Sequence, residues 1–219
     1  RDHIQEIDLF LNLGGIANVT FQQQAFDICP CNSVLNHLYL GAFPESEFEY
    51  DPQGQLAASG EVNDELLQAL NQLNFYKTRP PKSLGWEWTT QHVLPLIGEF
   101  DLSIEDFLCT LVEHISFQIA RALRLIRATD RKLLITGGGR HHHFLISRLK
   151  DQLTPSGISI VDDFPESWID YKEAIIFAFL GLRTLLGNPT TLASVTGAPE
   201  DLVTGSIHLP PKGGINLLD

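Results

Sequence analysis

Asp8-Leu-Phe-Leu-Asn-Leu-Gly-Gly-Ile-Ala-Asn-Val-Thr-Phe21, continued by Ala25-Phe-Asp-Ile-Cys-Pro-Cys-Asn32, is the stretch that decides the fold. Leu9, Leu11 and Leu13 alternate with Phe10 and Asn12, Gly14-Gly15 breaks the run, and Ile16 to Phe21 resumes it. After a glutamine turn, Ala25 to Ile28 closes it. Short apolar runs of period two, separated by turn residues, predict a buried β-meander. The meander puts bare backbone at Gly14 and Gly15 and a carboxylate at a strand end, Asp27. Glycine-turn N–H groups suit a phosphate, and such a carboxylate can activate a hydroxyl or water. A plain hairpin turn and a turn-forming Asp would account for the same residues.

Working outward, the 219 residues allow one large domain or two small ones, and 43% hydrophobic with 19% charged residues is an ordinary globular composition. A net charge of -12 argues against a nucleic-acid partner, since nothing would offset phosphate repulsion. The apolar runs are interrupted by charge, so neither a membrane span nor a signal peptide is expected. Three cysteines, two of them in Cys29-Pro-Cys31, make no disulfide framework and fit a reducing compartment. A zinc site is not expected from Cys-x-Cys with one further thiol, Cys109. The chain opens on Arg1 and contains no Met, which suggests part of a longer or processed protein.

Beyond the meander, Ser33 to Leu40 reads as a short helix, and the acidic, turn-rich segment 43–60 reads as a solvated surface excursion. Asn63 precedes a helix with Leu66, Leu67, Leu70 and Leu73 on one stripe. Arg79-Pro-Pro-Lys-Ser-Leu-Gly-Trp-Glu-Trp88 is an extended loop that either holds a polar ligand against an aromatic wall or buries its tryptophans. Residues 101–128 form the longest helix, opened by a Ser103/Asp106 capping box and carrying a structural His114. Lys132-Leu-Leu-Ile-Thr-Gly-Gly-Gly-Arg140 is a buried strand running into a triple glycine, with an amphipathic helix from His141 to Leu153. Strand, glycine turn and helix can present N–H groups to a nucleotide, although close packing alone can require the glycines. Ile158 to Val161 is another strand. Asp170-Tyr-Lys-Glu173 then opens, as a capping box, a helix burying Ile175, Ile176, Phe179, Leu182 and Leu186. The tail, Thr191 to Asp219, has no transparent role.

The order βββ, helices, βαβα predicts an α/β fold: an antiparallel β-meander continued by parallel strands with flanking helices. It matches the ribonuclease-H-like lobe of the sugar kinase, hexokinase and actin-like fold. Taken together, Leu11-Asn-Leu-Gly-Gly-Ile-Ala-Asn18, Phe26-Asp-Ile-Cys-Pro-Cys-Asn32, Pro80-Pro-Lys-Ser-Leu-Gly-Trp-Glu87, Ile135-Thr-Gly-Gly-Gly139, Asp170-Tyr-Lys-Glu-Ala174 with Ala178-Phe179, and Val195-Thr-Gly-Ala198 resemble the C-terminal half of the anhydro-N-acetylmuramic acid kinases. Each motif is weak alone, and six in family order and spacing are strong.

The resemblance implies that residues 1–219 are the C-terminal lobe of a two-lobed kinase whose N-terminal phosphate-loop lobe, with its G-T-S-x-D-G motif, is absent from this chain. Family members open the 1,6-anhydro bridge of anhydro-N-acetylmuramic acid with water and place the ATP γ-phosphoryl on the freed 6-hydroxyl, in cell-wall recycling. By the family's F-D-T-G-P-G-N motif, Asp27 is the base for the attacking water; by its D-A-x-E-A motif, Glu173 helps hold water and sugar. Gly14, Gly15 and Asn18 look like a phosphate-side loop, and Gly137, Gly138 and Gly139 like an adenosine-side loop. ATP and Mg²⁺ are the implied cofactors, a small amino sugar the substrate and the cytoplasm the place. No nucleic-acid or membrane partner is expected, and a homodimer stays open. Two departures stand out. Cys29 and Cys31 replace glycines, giving a bulkier loop less permissive in φ, and Trp86 replaces an arginine. A non-catalytic sugar- or nucleotide-binding lobe, or a sugar kinase of altered specificity, are the alternative readings.

Overall fold

The computed structural model describes residues 6–22 and 24–208. It divides into two compact units, 1–164 and 165–219. In the first, strands β1 (Leu9–Leu13), β2 (Ile16–Phe21), β3 (Gln24–Pro30), β4 (Lys132–Thr136) and β5 (Ser159–Ile160) form one sheet in the order β3-β2-β1-β4-β5. The β1–β2 and β2–β3 pairs are antiparallel, while β4 runs parallel to β1 and β5 parallel to β4. The meander continued by parallel strands is therefore present, and β1 is its central strand.

The period-two pattern dictates the two faces of this sheet. Leu9, Leu11 and Leu13 lie opposite Phe21, Val19 and Ala17 of β2, and Leu9 and Leu11 opposite Leu133 and Ile135 of β4. With Phe26 and Cys29 these residues are buried, apart from the partly covered Phe21, in one apolar cluster. Helices complete that cluster: α1 (Asn32–Ala42), α2 (Gln55–Ser59), α3 (Asp64–Asn71), α4 (Ile104–Leu125) and α5 (His143–Leu153). The second face carries Phe10, Asn12, Asn18 and Asp27, all only partly covered.

α4 is shorter at both ends than the sequence suggests. Ser103 Oγ accepts the Asp106 N–H at 3.1 Å, which sets the start, and Arg127 lies past the end at φ 54°. Leu108, Leu111, Val112, Ile115, Ile119 and Leu123 line its buried stripe. His114, on the same helix, is structural as expected: its ring nitrogens meet Asn71 Oδ1 at 2.7 Å and Tyr76 OH at 3.0 Å. Asn63 caps α3 by accepting the Leu66 N–H at 2.9 Å.

The second unit holds α6 (Glu166–Asp170), α7 (Lys172–Leu185) and α8 (Ala193–Thr196), with one antiparallel bridge between Thr191 and Leu202. Asp170 ends α6, and α7 is flanked by Tyr171 with no side-chain cap, so the expected Asp170/Glu173 capping box does not form. Ile175, Ile176, Phe179, Leu182 and Leu186 are exposed, not buried. Among the described residues of this unit, two short helices and a single bridge offer too little apolar surface to enclose a helix that is apolar on several sides. The last part of the tail, 209–219, lies outside the described residues. No helix among the described residues is long and apolar enough to cross a membrane.

Burial holds His114 neutral by pushing its pKa down to about 3. A folded-state pKa below that of the unfolded imidazole gives stability that is complete above about pH 6.5 and is lost as pH falls toward 3. Urea midpoints should therefore fall across that window, this histidine contributing about 1.4 kcal/mol per pH unit. His114→Gln is expected to flatten that slope while lowering stability at pH 7.

Candidate active site

The second face of the sheet carries a row of polar side chains. Asp27 pairs with Asn18, Asn18 with Asn12 and Asn12 with Thr136, so one line crosses β3, β2, β1 and β4. It ends where the parallel strands β1 and β4 end at their carboxyl termini, the usual side for ligands in α/β sheets. Thr136 Oγ1 reaches Asn12 Oδ1 at 3.4 Å, and Asn18 Nδ2 reaches the Ile16 carbonyl at 3.5 Å.

A β-bulge puts Asp27 in this row. Ala17 lies opposite Cys29 and Asn18 opposite Asp27, leaving Ile28 as the extra residue of β3. Without it, Asp27 and Cys29 would share a face. With it, Asp27 joins the polar row and Cys29 turns into the core. The Asp27 backbone N–H donates to the Lys82 carbonyl at 3.1 Å, and its Oδ2 accepts the Leu84 N–H at 2.7 Å.

Neither cysteine has a positive φ: Cys31 has φ −130° and Cys29 lies within β3, so neither needs the left-handed region. Both are buried, and burial pushes the Cys31 thiol up to about 12 and the Cys29 thiol well above its ordinary value. Both therefore remain neutral at physiological pH.

Gly14 and Gly15 join β1 to β2. The Gly15 carbonyl accepts Cys31 N–H, Ser33 N–H and Ser33 Oγ–H at 2.8, 3.2 and 2.6 Å, and the Gly14 carbonyl accepts Asn32 N–H at 3.1 Å. The turn thereby fixes the start of α1. Asn32, the first residue of α1, donates from Nδ2 to the Leu13 carbonyl at 3.0 Å.

Two of the three glycines, Gly137 and Gly139, are required by packing. Gly137 has φ 85°, and a Cβ there would lie 2.7 Å from the Leu13 carbonyl oxygen and 2.8 Å from Asn12 Oδ1. A Cβ at Gly139 would lie 2.7 Å from Leu13 Cβ. A 3₁₀ turn over Gly138–His141 follows, so α5 begins at His143, two residues later than the sequence suggests. Its cap is His142, whose Nδ1 accepts the Leu145 N–H at 3.1 Å. Burial lowers the pKa of this imidazole, opposed by the Asp51 carboxylate.

Gly138 and Gly139 line a cleft of about 570 Å³, together with Asn32, Asn36, His141 and His142 and with Phe48, Tyr50 and Asp51. The segment 43–60 is thus not simply a solvated excursion. Asp51 is buried and accepts the Leu56 and Ala57 N–H groups at 2.9 Å each, which anchors the loop, while Phe48 and Tyr50 form an aromatic wall. The charge density of this segment points to a solvated face, while the two aromatics flanking Glu49 are the signal of the wall. Asn12 was likewise missed, its place in the row being set by register.

Asp27, Asn18 and Gly137 thus belong to one continuous line, and Gly138 and Gly139 carry it into the cleft. Gly14 and Gly15 lie at the adjoining turn. Glu173 belongs to the other unit, where it is exposed in the first turn of α7.

A meander in the order β3-β2-β1-β4-β5, with a polar row at the carboxyl ends of the parallel strands and a glycine turn beyond, defines an α/β lobe with the ribonuclease-H-like strand order. The model of the family "Anhydro-N-acetylmuramic acid kinase" matches residues 2–210. A Coxiella burnetii protein named anhydro-N-acetylmuramic acid kinase is 36% identical over 214 residues, covering 93% of this chain and 56% of the relative. One of that name from Xylella fastidiosa is 36% identical over 90% of this chain and 52% of its own length. The Pseudomonas savastanoi protein is 35% identical over 90% of this chain and 55% of its own. The chain belongs to the anhydro-N-acetylmuramic acid kinase family, and it spans about half the length of the curated relatives it matches.

Gly137→Ala should destabilise the first unit by about 2 kcal/mol or more, because the new methyl meets a carbonyl oxygen in a backbone region unfavourable to it. Gly138→Ala, whose Cβ would meet only Asn32 Nδ2 at 3.6 Å, should stay within about 1 kcal/mol of the parent. Thermal unfolding of the two variants side by side measures the difference.

Proposed function

We propose that the complete protein is an ATP-dependent kinase that opens 1,6-anhydro-N-acetylmuramic acid with water and phosphorylates its 6-hydroxyl, with this chain as its C-terminal lobe. On this reading the isolated chain does not turn over. Family membership supports the reaction class. The observation that carries the reading to named residues is the line from Asp27 along Asn18, Asn12 and Thr136 to the glycine turn and its cleft.

In the proposed step, water adds to the anomeric carbon as the bond from that carbon to O6 breaks. O6 attacks the γ-phosphorus as the bond to the β-phosphate oxygen breaks, and the water proton passes to Asp27. Holding water, sugar and phosphate in one line supplies much of the acceleration, and a positioned base adds to it. Adenosine would occupy the cleft against Phe48 and Tyr50, near Gly138 and Gly139. The phosphates would then lie along Asn12 and Asn18 past the Gly14-Gly15 turn. The amide oxygens of Asn12 and Asn18 fit a hydrated Mg²⁺ carried by those phosphates, where the ion would neutralise charge on the transferring group. Glu173 is proposed to help hold sugar and water. The substrate would be a small amino sugar met in the cytoplasm.

One observation favours an altered sugar preference within the same chemistry. Trp86, where the family carries an arginine, is 40% exposed and packs edge-on against His37 at 5.4 Å between ring centroids. It stands two residues beyond Leu84, which holds Asp27. A panel of anhydro and reducing amino sugars offered to the complete protein reads this directly.

Asp27→Asn in the complete protein should lower ADP release with the anhydro sugar by about a thousandfold while leaving the circular dichroism spectrum and nucleotide affinity unchanged. Turnover at the parent rate would overturn the assignment of the base.

A further inference from the structure

Asp27 is held by one short segment through two bonds. Its backbone N–H donates to the Lys82 carbonyl at 3.1 Å, and the Leu84 N–H donates to its Oδ2 at 2.7 Å. The second is a short charge-assisted bond. Oδ1 accepts from no protein donor among the described residues. Asn18, the cross-strand neighbour, bonds its own strand at Ile16 and leaves the carboxylate alone. The orientation of this carboxylate is thus set by residues 82–84.

Those residues belong to no helix or strand, so something else must hold them. The Lys82 side chain does. Its Nζ donates to the Phe75 carbonyl at 3.3 Å and stands 4.1 Å from the centroid of the Phe75 ring, a cation–π contact. Phe75 in turn packs against Tyr76 and Trp88 at ring separations of 5.8 and 5.4 Å. The Leu84 side chain is buried at the other end of the segment. The ammonium is engaged with Phe75, and only the backbone of residues 82–84 reaches Asp27.

We propose that Lys82 is a positioning residue: docked on Phe75, it holds the Leu84 N–H against Asp27 Oδ2 and leaves Oδ1 as the oxygen that receives the proton of the attacking water. This rests on the reading of Asp27 as the base. A carboxylate free to rotate would offer its lone pairs to water in the productive direction only part of the time, and lost orientation appears in turnover, not in substrate binding.

The test compares Lys82→Met, which keeps the stem and removes the charge, with Lys82→Arg, which keeps a cation for the Phe75 ring, both in the complete protein. Lys82→Met should lower kcat about tenfold to a hundredfold with KM for sugar and ATP within about twofold, and Lys82→Arg should recover most of the loss. In selectively ¹⁵N-leucine-labelled protein, the Leu84 amide proton should move upfield in Lys82→Met as its bond to Asp27 lengthens. If Lys82→Met does not fold, a backbone ester at Leu84, with leucic acid in place of leucine, removes that N–H alone and must give the same loss of kcat. An unimpaired Lys82→Met, an unmoved Leu84 amide, or a defect confined to KM would overturn the proposal while an inactive Asp27→Asn left the base assignment standing. A fully active Asp27→Asn would overturn the base assignment, and with it this role for Lys82, whatever the amide shift.

Discussion

The single extra residue in β3 sets the chemistry of the whole sheet. In an unbroken strand, residues two apart share a face, so Asp27 would lie on the same side as Cys29 and inside the apolar cluster. An ionised carboxylate there would face a large desolvation cost. The register shift at Ile28 lets Phe26 and Cys29 both join the core while Asp27 faces the partly open side. The ladder gives up regularity at one place and gains a carboxylate aligned with Asn18, Asn12 and Thr136. Bulges near active sites commonly re-aim one side chain in this way.

Everything beyond Asp27 is then tied to the end of β1. The Leu13 carbonyl accepts from Asn32, and the Leu13 backbone and side chain leave no room for a Cβ at Gly137 or Gly139. One strand end therefore fixes three things: the start of α1, the path of the glycine turn and the floor of the cleft. A shift of this strand by one residue would exchange its leucine face for Phe10 and Asn12, so the core itself locks the register that aligns the polar row. The site's geometry is a consequence of apolar packing on the opposite face.

Much of this was legible in the sequence because the signals were local. Alternation gave the meander, Ser103 gave the start of the long helix, and the spacing within α4 marked His114 as a core residue. The triple glycine was legible as a turn, and close packing, one of the two readings offered for it, describes Gly137 and Gly139. What was not legible depended on pairing. No property of Ile28 marks it as a bulge, and Asn12 became part of the row only once three strands were in register. Segment 43–60 misled because its charges outnumber its aromatics, although Asp51 is buried by two backbone bonds that no charge count can anticipate. The helix from Lys172 misled for the opposite reason. Its apolar residues imply a buried face, yet the described residues of its own unit leave them exposed.

The two cysteines bear on whether this lobe retains the chemistry of its family. A glycine replaced by a larger residue disables a loop in two ways: by forbidding a left-handed backbone, or by filling space a ligand needs. Neither applies within this loop. Both cysteines have ordinary φ, and both side chains are fully buried, Cys29 on the apolar side of the sheet, away from the face that carries Asp27. A third route would be electrostatic, since a thiolate near Asp27 would oppose the build-up of charge on an incoming phosphate. Burial closes that route by holding both thiols protonated. The substitutions therefore exchange backbone freedom for core volume without altering the charge of the site. Any departure from the family's chemistry has then to come from groups that face the ligand side, and Trp86 is the substituted residue that is exposed.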